Sequence, residues 1–357
     1  MLVAAIVDRI DGGPDAGALL FCGVPTTAIG VVVWRSTTAP KDVRNLEVYV
    51  TVTLAWVSLA CVGALPYLAT GRLTSVEHAL FESISGFTTT GATVLRPVAD
   101  TSQGLLLYRA LSQWIGGMGV IVLVIAVLPT VGSGAMNLMT AEAPGPSGER
   151  LSPRVRQTAR NLWTIYLGFT VAVVAAYVAA GMSLFDGLAH AFTTVSTGGF
   201  SPHNASLAHF DSAAVEWIAI AAMFLAVASY AHRSALSQLH PRLVRPVRVG
   251  SRALPEEIAT RIVGFMVLAL VVFGGGAVLI ALTGPDMITS FSAAASSFGN
   301  VGPGLGDVGP TGDYLALPWV ARVVTMVQML LGRLEIYPVM LALSVFTLRR
   351  RLHPARD

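Results

Sequence analysis

The stretch Phe87-Thr88-Thr89-Thr90-Gly91-Ala92-Thr93 is polar and glycine-containing, yet it stands between two long apolar segments. It recurs. Phe192-Thr193-Thr194-Val195-Ser196-Thr197-Gly198-Gly199-Phe200 and Ser297-Phe298-Gly299-Asn300-Val301-Gly302-Pro303-Gly304 line up with it, with Gly91, Gly198 and Gly302 in one column, 107 and 104 residues apart. Ahead of each lie about ten small or apolar residues and a side chain able to cap a helix: Ser75, Ser183 and Asp286. Such a segment supplies oxygen atoms. A short helix that stops within a membrane points its negative carbonyl end inward and favours a cation. Backbone carbonyls, with Thr and Ser hydroxyls beside them, can replace the hydration shell of an ion. Glycine suits the site because several successive carbonyls facing one axis force some residues to φ > 0. The motif holds no carboxylate, so a monovalent, weakly hydrated cation fits it better than a divalent one. Tight helix packing also uses small residues. Three copies in register, each after a short apolar lead-in, favour a repeated functional unit over chance packing.

The elements that position these stretches follow from composition. Of the 357 residues, 54% are hydrophobic and 12% charged, against about 25% charge in soluble domains. That is too little polar surface to cover a water-soluble particle. A bilayer-spanning helix needs about 20 apolar residues, and seven segments qualify: 17–34, 46–70, 104–131, 157–181, 213–231, 262–283 and 316–346. The inserts at 75–93, 183–200 and 286–304 are too short in their apolar part to cross. They read as re-entrant half-helices with extended backbone returning to the same side, which is permitted only where that backbone is buried in protein or lines a cavity. The expected fold is an all-α polytopic membrane protein of repeated helix, re-entrant pore loop, helix units around a pseudo-symmetric pore.

Arginine placement tests this topology. With all three loops entering from outside, the segments 35–45, 132–160, 232–261 and 347–357 are cytoplasmic and hold 17 of the 23 Lys and Arg, as the positive-inside rule requires. Arg9, Arg72, Arg96, Arg109 and Arg322 fall outside, and Arg333 lies within a spanning segment. Cys22 and Cys61 sit in apolar runs and read as packed thiols. The first 15 residues show no signal-peptide pattern, and the N-terminus falls outside, so the set reads as lacking one helix ahead of residue 17.

Longer motifs make the reading specific. Phe81-Glu82-Ser83-Ile84-Ser85-Gly86-Phe87 with the Thr-Gly stretch that follows, Gln113-Trp114-Ile115-Gly116-Gly117-Met118-Gly119, Glu142-Ala143-Pro144-Gly145-Pro146, His190 to Ser201, Gly299 to Gly306 and Leu331-Gly332-Arg333-Leu334-Glu335-Ile336 resemble the Trk/Ktr/HKT superfamily of potassium transporters, closest to the bacterial Trk membrane subunit. The resemblance runs from about residue 45 to 348 and includes repeats of the kind a long sequence period signals. It implies potassium uptake across the bacterial inner membrane, through a filter of four re-entrant loops. Carried over by position, the ion-binding residues are Thr89, Thr90 and Gly91, Ser196, Thr197 and Gly198, and Asn300, Val301 and Gly302. Arg333 takes the place of a basic residue that modulates cation passage below the filter; a structural pairing with Glu335 or with a partner on another helix is the alternative. The resemblance further implies a homodimer and a cytoplasmic nucleotide-binding regulatory ring. Potassium is the transported ion, and no cofactor, other metal site or nucleic-acid partner is expected.

The chain departs from that pattern in one respect: three units are present where the family has four. The Gly302 motif resembles the family's fourth unit, and nothing between Gly198 and Gly302 spells a third. The expected organisation is an N-terminal tail and one peripheral helix (1–44), a first pore repeat (45–131), a cytoplasmic loop (132–156), a second repeat (157–231), a basic linker where the third repeat is missing (232–261), a last repeat (262–348) and a cytoplasmic tail (349–357). A non-transporting, internally deleted remnant, acting as a membrane scaffold or subunit, is the alternative function. Glu82 is expected to bond the filter backbone from behind, His190 to be a packing residue, and Trp114, Trp217 and Trp319 to mark helix ends. Asp307 and Asp313 belong to the outer rim. No phosphate loop or catalytic constellation is present, so an enzyme is not expected.

Overall fold

The computed structural model describes residues 1–37, 45–119, 151–235, 248–249, 252–253, 256–310 and 312–334. These are helical apart from connecting segments and one antiparallel ladder of two residues on each side, Arg248 opposite Ala253 and Val249 opposite Arg252. The long helices are α2 (Ala16–Ser36), α3 (Asn45–Ala69), α6 (Leu151–Ala179), α8 (Ala213–Ala235) and α9 (Glu256–Ala281). Among the described residues, Ala16–Ser36, Val50–Ala69 and Arg160–Ala179 are long and apolar enough to cross a membrane, and α8 and α9 contain the shorter apolar runs Ala213–Ala226 and Met266–Ala281. Helix α5 spans 103–119 and α11 is Trp319–Leu334. The expected spans 104–131 and 316–346 extend beyond the described residues.

Three helices are short: α4 (Val76–Phe87), α7 (Leu184–Val195) and α10 (Met287–Gly299), of 12, 12 and 13 residues. At 1.5 Å per residue they reach about 18–20 Å, well short of a bilayer core of about 30 Å. Their starts lie where the sequence placed them, with different capping chemistry. Ser183 Oγ accepts from Asp186 N at 3.0 Å, and Asp286 Oδ1 accepts from Thr289 N at 3.1 Å. Ser75 occupies the same position without a side-chain capping bond.

The order is therefore α3–α4–α5, α6–α7–α8 and α9–α10–α11, three copies of long helix, short helix, long helix. Residues 1–15, read from sequence as part of a tail, instead form α1 (Leu2–Asp11), which packs on α2 and buries Ala4, Ala5 and Asp8. Asp8 is held there because its carboxylate accepts from Asp15 N at 2.7 Å and Gly104 N at 3.2 Å. Helix α6 begins at Leu151, inside the segment read as a loop.

The packing is uneven around the three copies. The first and last share one core, running from Tyr67, Phe81 and Leu105 to Ile280, Tyr314 and Met329. The second has its own, built on Tyr166, Tyr177, Val195 and Ala219, with Met118 reaching in from α5. Helix α11 packs across α4, whereas no helix pair of that extent joins α6–α8 to α9–α11 among the described residues. Arg322, placed outside by its sequence position, is buried in α11. There its Nε and Nη2 donate to Glu77 on α4 at 2.7 and 3.1 Å. A buried guanidinium needs such a partner, so this pair ties the last copy to the first.

Candidate functional site

The short helices end alike. Thr89, Thr197 and Asn300 adopt φ of 57°, 57° and 52°. Each donates its N–H three residues back, to Gly86, Thr194 and Ser297 oxygens at 3.0, 3.0 and 3.4 Å. The next residue donates five back: Thr90 to Ser85, Gly198 to Thr193 and Val301 to Ser296, at 2.9, 2.8 and 3.0 Å. This is the Schellman arrangement, which normally takes glycine at the left-handed position. A Thr there costs about 1–2 kcal/mol. The turn satisfies the last helical carbonyls and directs the chain out of the helix. The carbonyl oxygens of Thr89, Thr197 and Asn300 accept no hydrogen bond among the described residues.

This register corrects one position of the sequence alignment. The residues after the turn are Gly91, Gly199 and Gly302, so Gly199, not Gly198, stands in line with the other two. Gly91 and Gly199 share φ of 82° and 83°. Gly198 is small for a different reason: a Cβ there would collide with the Gln113 side chain. The helix starts carry the same register, because Ser75, Ser183 and Asp286 are 108 and 103 residues apart, as are Gly91, Gly199 and Gly302.

The three loops meet at these glycines. A Cβ on Gly91 would overlap the Gly198 carbonyl oxygen, and one on Gly302 would overlap the Thr90 carbonyl oxygen. A Cβ on Gly199 would lie 3.7 Å from the Gly302 oxygen. The Gly302 N–H donates to the Thr90 oxygen. Thr90, expected to present its carbonyl to an ion, thus has that oxygen engaged by the last loop. The Thr90 hydroxyl lies 2.8 Å from that of Thr88 and accepts from Asn300 Nδ2 at 3.0 Å; Asn300 Nδ2 also donates to Met329 O at 2.9 Å. Beyond the glycines opens a small pocket of about 90 Å³ bounded by Gly91, Gly199, Phe200, Pro303 and the chain up to Tyr314.

Behind the first loop sits a polar cluster. Glu82, fully buried on α4, accepts from Thr93 Oγ1, from Val94 N at 3.0 Å and from Arg109 Nε at 2.6 Å. This is the backing role expected of Glu82. Arg109, expected only to lie on the external side, had no assigned role; it is a buried residue of α5. Its Nη1 donates to Ser201 O at 3.1 Å, its Nη2 to Thr93 Oγ1 at 3.0 Å, and its guanidinium lies 3.8 Å over the Phe200 ring. Gln113 Oε1 accepts from Phe200 N at 3.0 Å. In the second loop His190 replaces Glu82 and lies 3.5 Å from Ser201 Oγ, in the packing role read from sequence. In the last loop the same positions are Ala293 and Gly304.

Arg333 lies at the inner end of α11, away from the glycines. It donates Nη2 to Gly116 O and stands 5.8 Å from the Trp56 ring. Gly116 lies against the Phe87 carbonyl, where a Cβ would not fit, so the charge sits near the carbonyl end of α4, a favourable place for a cation. Glu335 lies outside the described residues. Trp217 and Trp319 are exposed at the starts of α8 and α11, as expected. Trp114 is not at a helix end: it is within α5 and donates Nε1 to Thr170 Oγ1 at 3.1 Å. Asp313 caps the short turn Tyr314–Ala316 ahead of α11, with Leu315 N donating to it at 2.8 Å.

Comparison with known proteins agrees with this architecture. The family of cation transport proteins named TrkH matches residues 20–231 and 224–348. The Trk system potassium uptake protein TrkH of Halomonas elongata is 30% identical over 414 aligned positions, covering 84% of this chain and 86% of that protein. That of Escherichia coli K12 is 29% identical over 425, covering 87% and 88%. The crystal structure of the potassium transporter TrkH from Vibrio parahaemolyticus superposes with a TM-score of 0.78 at 26% identity, over 95% of this chain and 94% of that one. Both sequence alignments are longer than the 357 residues of this chain, so each opens internal gaps in it.

Proposed function

The chain belongs to the TrkH family of cation transport proteins, and we propose that it takes up potassium through a filter built where its three pore loops meet. It is a multi-pass protein of the bacterial inner membrane. The observation that carries the proposal is the identical turn at the ends of α4, α7 and α10, which brings Gly91, Gly199 and Gly302 together. Carbonyls leaving that turn are the groups that replace water around a monovalent cation. We assign the ion to the carbonyl oxygens at Thr89, Thr197 and Asn300 and their neighbours Gly91, Ser196, Gly198, Val301 and Gly302. Thr90 joins them once Gly302 N–H releases its oxygen. Arg333, beneath the first loop, sets the electrostatic barrier on the inner side.

We further propose that the family's third repeat is absent between α8 and α9. Three observations support this: the family match breaks at 224–231, the alignments exceed the chain in length, and among the described residues the second and last copies centre on separate cores, with only Phe185 of α7 packed at the edge of the other. The homodimer and the docking of a nucleotide-binding ring on the basic segment 232–261 rest on the resemblance and on the charge of that segment.

A second reading is favoured by one specific contact. The Gly302–Thr90 bond draws the first and last loops together without a fourth, as in a closed, non-conducting membrane scaffold. Expression in a bacterium lacking potassium uptake separates the two. Growth at low potassium, lost in the Gly91→Ala variant, is the expected result. No rescue at normal membrane abundance would leave the scaffold reading standing and overturn transport.

A further inference from the structure

The Arg109 guanidinium touches two pore loops at the same structural position. Thr93 follows Gly91 by two residues, and Ser201 follows Gly199 by two. Nη2 reaches the Thr93 hydroxyl at 3.0 Å and Nη1 the Ser201 carbonyl at 3.1 Å. Nε is fixed by Glu82 at 2.6 Å, and the face of the group lies on Phe200. Arg109 is 2% exposed and Glu82 0%. A buried ion pair contributes little net stability, since desolvation opposes the Coulomb gain. Its planar fork of donors is geometrically rigid in a way that a lysine ammonium is not. Among the described residues the last loop has no such brace, with Ala293 and Gly304 at the matching positions.

We propose that Arg109 is a positioning residue that fixes the spacing between the exits of the first and second pore loops, and with it the discrimination of potassium from sodium. The selectivity part rests on the transport function proposed above; the spacing part does not. Arg109 holds the loops from behind and does not meet the ion. Glu82 orients the fork, and Phe200 keeps it flat between the two loops.

The test is hydrogen–deuterium exchange on the purified full chain, with potassium and sodium uptake measured on the same variants in cells. In Arg109→Gln and Arg109→Lys, exchange is expected to rise together at 91–95 and 199–203. The potassium-to-sodium uptake ratio is expected to fall about tenfold, the equivalent of one lost buried hydrogen bond. Phe200→Leu keeps the ion pair and is expected to loosen 199–203 alone, which preserves a reading if Arg109→Gln does not accumulate. A uniform rise across α3–α5 with an unchanged ratio would show that Arg109 only supports the core, and overturn the proposal. A rise confined to 91–95 would overturn it as well. A wild-type chain that takes up no potassium defeats the transport function, while the exchange pattern still decides whether Arg109 spans both loops.

Discussion

The first and last pore loops make the same turn in different surroundings. Residues 81–90 of the first are all buried, and Glu82 and Arg109 back it with charge. The last has the same hydrogen-bond register, but Phe291, Ala295 and Gly299 form an exposed face along α10, and Val301 is 66% exposed. The turn is therefore a local property of the chain, set by the helix end and the residues after it. Enclosure is not local. It depends on which elements stand beside the loop, and among the described residues the last loop centres on a core separate from that of the second copy. Asn300 offsets part of that loss through its bonds to Thr90 and Met329.

The sharpest way to break this comparison is at the glycines. Gly91→Ala places a Cβ against the Gly198 carbonyl at φ 82°. The left-handed strain alone is on the order of 1–3 kcal/mol, and potassium uptake should fall about 100-fold once the overlap is added. Gly299→Ala, with nothing within 4 Å of the new Cβ, should leave uptake unchanged and firm up α10 by up to about 1 kcal/mol. Equal losses in an uptake assay would show that enclosure does not distinguish the two loops.

The tie between the loops comes next. Arg322→Met removes the arginine partner of Glu77, leaving His78 Nε2 at 3.4 Å. Breaking a buried pair costs about 3–5 kcal/mol, but Glu77 is a quarter exposed, and solvent screening reduces this to about 1–2 kcal/mol. A melting temperature lowered by a few degrees in detergent, with the potassium-to-sodium ratio retained, is the expected outcome. A changed ratio would mean that this pair, too, shapes the filter.

Exposure can be read chemically. In a background with Cys22 and Cys61 replaced by Ser, Val301→Cys should react with a membrane-permeant maleimide at least about tenfold faster than Thr90→Cys, since thiol reaction needs access. Protection of Val301→Cys in native membranes, lost on detergent extraction, would reveal a partner covering the open flank.

The smallest effect is at the helix starts. The Thr289 bonds hold the Asp286 carboxyl below its ordinary value of 3.8. A lowered folded-state pKa gives stability that is present above the unfolded value and is lost as pH falls through the folded one. The last loop should therefore show a slight acid-sensitive component below about pH 4, absent in Asp286→Asn. The first loop should show none from its cap, since Ser75 does not titrate. Exchange rates at α10 and α4 across pH 3–6 check this.

Several features were legible in the sequence because their causes are local. Apolar length marked the spans, short apolar runs marked α4, α7 and α10, and capping residues marked their starts. The cap spacing also contained the correct glycine register. The Thr-Gly dipeptide drew the alignment to Gly198, which is glycine for a packing reason supplied by Gln113, a residue 85 positions away. The partners of Arg109 and Arg322 were not legible for a related reason. A charge near the end of an apolar run reads as surface unless its partner is known, and Glu82 and Glu77 are 27 and 245 residues distant.

The sequence by itself determined the membrane fold, the three repeats, the family and the oxygen-rich turns, since hydropathy and helix-end chemistry act over a few residues. Only the tertiary structure decided which loops touch, that Gly302 bonds Thr90, that one arginine grips two loops, and that the last loop stands open on one side. Those outcomes depend on contacts between segments well apart in the chain, 92 residues for Arg109 and Ser201 and 245 for Glu77 and Arg322, and on the desolvation of charges whose partners only the folded chain supplies.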